Sequence, residues 1–183
     1  MEYSVIMAGF GGQGVLLMGD LLAYGAMKKG LNVTWMPAYG VEMRGGAANC
    51  TVVLSEDEIG APLVGSPRAV IAMSEPAYDK FKNLLPESGL LMVNSSLIQA
   101  PDGSARRKDI EMVLVPAQAL AEESGDEKMA NVAMLGAFLA HTGLLEPEDV
   151  AGLARSFMPP EKGSLVPAIE RALLKGKEFI NSR

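Results

Sequence analysis

The segment YSVIMAGFGGQGVLLMGDLLAYGAMKKG, from Tyr3 to Gly30, narrows the fold more than any other part of the chain. A short apolar run ends in four glycines within six residues, Gly9 to Gly14. A run of helical period follows, with Val15, Leu16, Met18, Leu21, Leu22 and Met27 recurring along it. The apolar run predicts a buried strand, and the period after it predicts a helix. Lys28 and Lys29 fall in that helix's last turn and Gly30 is placed to stop it. LNVTWMP then predicts a second strand closed by Pro37. Strand, glycine turn, helix, strand is a βαβ unit, whose crossover is expected to be right-handed.

Further along, NCTVVLS, AVIAMS, GLLMVNS and IEMVLVPA are short apolar runs that predict more strands. EPAYDKFKNLL reads as a helix with Pro76 in its first turn, and QALAEES as a short helix stopped by Gly125. From Glu127 onward the pattern is helical only. EKMANVAMLGAFLAHTG sets Val132, Leu135, Phe138 and Leu139 on one stripe with Gly143 as its stop. EPEDVAGLARSFM and SLVPAIERALLKGKEFI complete the chain as helices. The expectation is one domain over residues 1–183, an α/β, three-layer Rossmann-like fold with a mostly parallel sheet and a helical C-terminal third.

Composition removes several function classes. Hydrophobic residues are 49% of the 183 and charged residues 21%, a balance that favours a folded core over disorder. The formal net charge is -6 and ARRKD is the one notable basic run, which disfavours nucleic-acid binding. No apolar stretch reaches the roughly 18–20 residues of a membrane span, and the N-terminus does not read as a signal peptide. Cys50 and His141 are the sole cysteine and histidine, too few for a disulfide framework, a four-thiolate iron–sulfur site or a multi-histidine metal site supplied by this chain alone. His141, near a helix end, is expected to be a cap or surface residue. A cytoplasmic, reducing compartment is the expectation.

The glycine turn admits two readings. Gly9, Gly11 and Gly14 have G-x-G-x-x-G spacing, which lets backbone approach a phosphate and aims helix N–H groups at an anion. The same glycines could simply allow a tight turn and close strand–helix packing. Gln13 adds an amide that can hydrogen-bond a ligand or a partner's loop. An NAD site also needs an acid at the end of the second strand, about 20 residues on, to bind the ribose. Here that strand ends TWMPAYG, and the next carboxylate is Glu42, beyond a further glycine. No Lys-Ser/Thr follows the turn, so it is not a P-loop.

The loop after the second strand, AYGVEMRGGA, carries Tyr39, Glu42 and Arg44, with two glycines behind the arginine. In an open α/β sheet, ligands bind at the carboxyl rim to which this loop belongs. Glu42 and Arg44 could equally pair with each other or with neighbours. Candidate contacts are therefore Gly11, Gly12, Gln13, Gly14, Tyr39, Glu42 and Arg44, with no catalytic or metal-binding residue among them.

Together GFGGQGV, AYGVEMRGGAANCTVVLSEDEIGAP and KMANVAMLGAFLAHTGLL resemble the gamma subunit of the 2-oxoacid:ferredoxin oxidoreductases, over nearly the whole chain. The departure is Ile169, where that family's last helix is expected to carry Asn. The resemblance implies an accessory gamma domain that is not catalytic alone, with alpha, beta and, where present, delta subunits as partners and ferredoxin reached through the complex. It also implies that thiamine diphosphate, magnesium and iron–sulfur clusters sit on those partners. Coenzyme A is implied near this domain, which packs beside the active site where it can help enclose that substrate. The readings that compete are a free-standing NAD(P)-binding oxidoreductase and a nucleotide-sensing module. The missing acid after the second strand and the absence of a substrate domain weigh against the first, and the second shares the turn but does not explain the arginine loop.

Overall fold

A computed structural model describes residues 2–39, 46–99, 107–157 and 160–183. Six strands form one sheet: β1 (Glu2–Phe10), β2 (Asn32–Tyr39), β3 (Ala47–Ser55), β4 (Ala69–Ala72), β5 (Leu90–Asn94) and β6 (Glu111–Val115). Their order is β2-β3-β1-β4-β5-β6. The run β1-β4-β5-β6 is parallel, whereas β3 is antiparallel to both β1 and β2. The mostly parallel α/β sheet of the sequence reading is present.

The simple βαβ unit needs correction. β1, α1 (Val15–Lys28) and β2 follow in order, but β3 lies between β1 and β2. The reason lies in the strands. β3 aligns all nine of its residues with β1, from Phe10↔Ala47 to Glu2↔Ser55, and buries Cys50, Val52, Val53 and Leu54. β2 contains Pro37, which lacks a ladder N–H and is tolerated on an edge strand.

The sheet separates two cores. Val5 and Met7 of β1 face a large cluster built with α1, α4 (Ala130–Thr142), α5 (Pro147–Phe157) and α6 (Val166–Asn181). Ile6 and Ala8 face a smaller one with Ala77, Tyr78 and Phe81 of α2 (Glu75–Phe81). α3 (Ala117–Glu123) follows β6 and joins the large cluster through Ala117, Leu120 and Ala121.

α4 departs from the one-stripe expectation, because every residue from Ala130 to Leu139 is buried. Its small residues form a second contact face, where the backbone of α6 comes close at Gly136 and Gly176. Gly143 stops the helix in the left-handed conformation at φ 65°, as expected from its position. Ile169 is fully buried in α6, so an apolar side chain suits that position. His141 Nε2 lies 3.0 Å from Glu111 Oε1, joining the end of α4 to the start of β6.

Cys50 points beneath α1, its thiol donating to the Val15 carbonyl at 3.5 Å. Burial, then the nearby Asp20 carboxylate, pushes the thiol up to about 12 from 9.0. In the unfolded chain it ionises near its ordinary value, while the folded chain keeps the proton. Unfolding above pH 9 therefore releases a proton, and stability falls as pH rises through that window, by up to about 1.4 kcal/mol per unit. Cys50→Ala should remove this component. Urea unfolding of parent and variant at pH 8, 9 and 10 checks it, and identical pH slopes would refute the assignment.

Candidate functional site at the glycine turn

β1 ends at Phe10 and α1 begins at Val15, so Gly11, Gly12, Gln13 and Gly14 make the whole connection. Gly12 and Gly14 have φ of 99° and 70°, in the left-handed region that side chains rarely adopt. Gly14 is the N-cap of α1. It has no side-chain cap bond behind it, and the first turn contains no acidic residue. The first N–H groups of a helix have no carbonyl within it to donate to. With the helix dipole they make this end of α1 favourable to an anion.

The two sequence motifs meet here. The Gly11 N–H donates to the Gly46 carbonyl at 2.8 Å, and Gly46 ends the arginine loop. Tyr39, the last residue of β2, pairs with Ala48, and Ala47 pairs with Phe10. Both strands that carry the loop therefore reach the rim beside the glycine turn. Glu42 and Arg44 themselves lie outside the described residues.

Gln13 is engaged within the chain at both ends of its amide. Its Oε1 accepts from the Phe10 N–H at 2.7 Å, and its Nε2 donates to the Met73 carbonyl at 3.1 Å. The turn is thus tied to the end of β4. A residue absent from the sequence reading completes the arrangement: Asn131 of α4, only 3% exposed, donates through Nδ2 to the Gly14 carbonyl at 2.9 Å. Its signal was a lone amide inside the apolar run KMANVAMLGAFLA.

A cleft of about 80 Å³ adjoins the turn on the α2 side, between Gly9, Phe10, Asn49, Ser74, Lys80 and Phe81. Ser74 keeps its hydroxyl buried there, without a hydrogen-bond partner among the described residues. A wider cleft of about 420 Å³ opens at the other end of β1, beside Tyr3, Leu31, Leu54 and Leu145. Among the described residues no group of three or more His, Cys, Asp or Glu side chains is placed to hold a metal ion. Among the same residues, no helix is long and apolar enough to cross a membrane.

The geometry weighs against a dinucleotide site. β2 ends Pro37-Ala38-Tyr39, with no carboxylate to take a ribose, and β3 separates it from β1.

Known proteins resemble this chain in sequence and in overall fold. Residues 4–179 match the family model described as pyruvate ferredoxin/flavodoxin oxidoreductase. The ketoisovalerate oxidoreductase subunit VorA of Methanothermobacter marburgensis is 39% identical over 139 residues, 76% of this chain. This chain spans only 28% of VorA's own length. The 2-oxoglutarate synthase subunit KorC of the same organism is 34% identical over 164 residues, covering 87% of this chain and 88% of KorC. Among solved structures, the keto/oxoacid ferredoxin oxidoreductase gamma subunit from Geobacter sulfurreducens superposes with a TM-score of 0.80 at 28% identity, covering 99% of both chains. A family match running almost from end to end, on a fold shared with a solved gamma subunit, means that this chain belongs to the pyruvate ferredoxin/flavodoxin oxidoreductase family.

Proposed function

We propose that the chain is the gamma subunit of a multi-subunit 2-oxoacid:ferredoxin oxidoreductase in the cytoplasm. It serves an oxidative decarboxylation that yields an acyl-coenzyme A and sends electrons to ferredoxin. The observation that carries this reading is the near end-to-end likeness to KorC, a relative of similar length that is itself one subunit of a larger enzyme. Alpha, beta and, where present, delta subunits supply thiamine diphosphate, magnesium and iron–sulfur clusters. A single cysteine and a single histidine in 183 residues suit a chain that leaves that chemistry to its partners.

Within the complex, the rim formed by the glycine turn and the arginine loop contacts coenzyme A. The uncapped N-terminus of α1 offers N–H groups to a phosphate, and Arg44, close in sequence to the Gly46 anchor, offers a guanidinium. A guanidinium binds phosphate through two parallel hydrogen bonds that lysine cannot reproduce.

Reconstitution tests both statements. The chain is mixed with alpha, beta and, where present, delta subunits of such an enzyme, and 2-oxoacid-dependent ferredoxin reduction is followed against coenzyme A concentration. The chain alone should show no turnover, and omitting it should abolish or strongly reduce activity. Undiminished activity without it would refute the subunit reading. Arg44→Lys should raise the apparent KM for coenzyme A about tenfold with assembly intact, the loss of one charge-assisted bond. Loss of assembly instead would make Arg44 an interface residue, and no change in either would remove it from the site.

A further inference from the structure

Two carboxamides hold the glycine turn from opposite sides. Gln13 ties it to the sheet, through the Phe10 N–H and the Met73 carbonyl. Asn131 ties it to the helical layer, through the Gly14 carbonyl, from 117 residues away in sequence. That carbonyl also accepts the Met18 N–H at 3.2 Å, the bond that opens α1. Asn131 therefore grips the group from which the helix starts.

We infer that Gln13 and Asn131 are positioning residues, a clamp that fixes the direction of the N-terminus of α1. A connection with three glycines in four residues has little stiffness of its own, because glycine restricts its backbone least. An anion-binding end must nevertheless point its N–H groups in one direction to be selective. Asn131 is buried in an apolar helix, where an amide without a partner is costly. Its hydrogen bond to Gly14 answers that cost and stiffens the turn. Gln13 acts independently, since its bonds run to β1 and to the residue after β4. Neither side chain needs to touch a ligand.

The functional part of this inference rests on the proposed coenzyme A contact, and the experiment separates the two. Amide hydrogen exchange is measured by NMR on the full chain for the parent, Gln13→Ala and Asn131→Ala. The Gly11 and Met18 amides, bonded to Gly46 and Gly14, should exchange about tenfold faster in each variant, while Leu91–Val93 in β5 keep their protection. In the reconstituted complex, the same variants should raise the apparent KM for coenzyme A several-fold, with kcat and assembly unchanged. Unchanged exchange at Gly11 and Met18 in both variants overturns the clamp. Faster exchange with an unchanged KM upholds the clamp and overturns the coenzyme A reading. If Asn131→Ala raises exchange throughout the chain, Gln13→Ala, whose side chain is only part-buried, decides the question on the same two amides.

Discussion

Gly176→Ala is expected to cost at least about 3 kcal/mol of folding stability, and Gly136→Ala a similar amount. α4 and α6 approach so closely that neither glycine has room for a methyl group. A Cβ at Gly176 would overlap the Ala133 carbonyl oxygen and stand 2.5 Å from the Ala137 nitrogen. A Cβ at Gly136 would overlap the Leu173 carbonyl oxygen and stand 2.7 Å from its carbon. All these neighbours are backbone, so no rotamer change relieves the clash and the two helices must separate. Separation would open the cluster that holds Phe138, Leu139, Ile169 and Leu173. Gly152→Ala in α5 is the matched control. No atom of the described residues lies within 4 Å of its Cβ position, so it should gain about 0.5–1 kcal/mol from helix propensity. Urea unfolding of the three variants settles the signs. A Gly176→Ala stability within about 1 kcal/mol of the parent would refute so close an approach of α4 and α6.

That helix contact shows where the sequence stops being legible. The strands and helices themselves were readable, because each carries a local signal of apolar period, Gly or Pro. Which strand lies beside which was not. NCTVVLS looks like any buried strand, and nothing local says that it inserts between β1 and β2. The burial of α4 on all sides was hidden for a similar reason. A stripe of Val132, Leu135, Phe138 and Leu139 is visible, but Ala133 and Gly136 reveal a contact only once α6 is placed against them.

The candidate site divides along the same line. The glycines and the arginine loop stood out by spacing, and the register of β1, β2 and β3 brings their anchors to one rim. Gln13 stood out as an amide at a helix start, but its partners Phe10 and Met73 are set by tertiary structure. Asn131 stood out only as a lone amide in an apolar run, and its role was hidden because its partner is a backbone carbonyl far away in sequence. Side chains that bond backbone leave no pairing pattern to read.

The turn itself provides the second large effect. Gly14→Val should destabilise the chain by about 3 kcal/mol, more than Gly12→Val does. Both positions demand a left-handed backbone, at φ 70° and 99°, which costs a β-branched residue about 1–3 kcal/mol. At Gly12 strain is the penalty that the described residues impose, since none of their atoms lies within 4 Å of the Cβ position. Strain therefore favours glycine there without any clash from the described residues. At Gly14 a Cβ would also overlap the Asn131 amide and stand 2.9 Å from its Cγ. Asn131 is buried, so it cannot swing into solvent, and displacing it leaves an unpaired amide inside α4. A double-mutant cycle isolates this second component. Asn131→Ala removes the obstructing amide, so Gly14→Val should cost about 1–2 kcal/mol less in that background than in the parent. Gly12→Val should cost the same in both backgrounds. Urea unfolding of the parent, the three single variants and the two doubles gives all the required differences. Equal costs for Gly14→Val with and without Asn131 would mean that the side chain does not press on the turn.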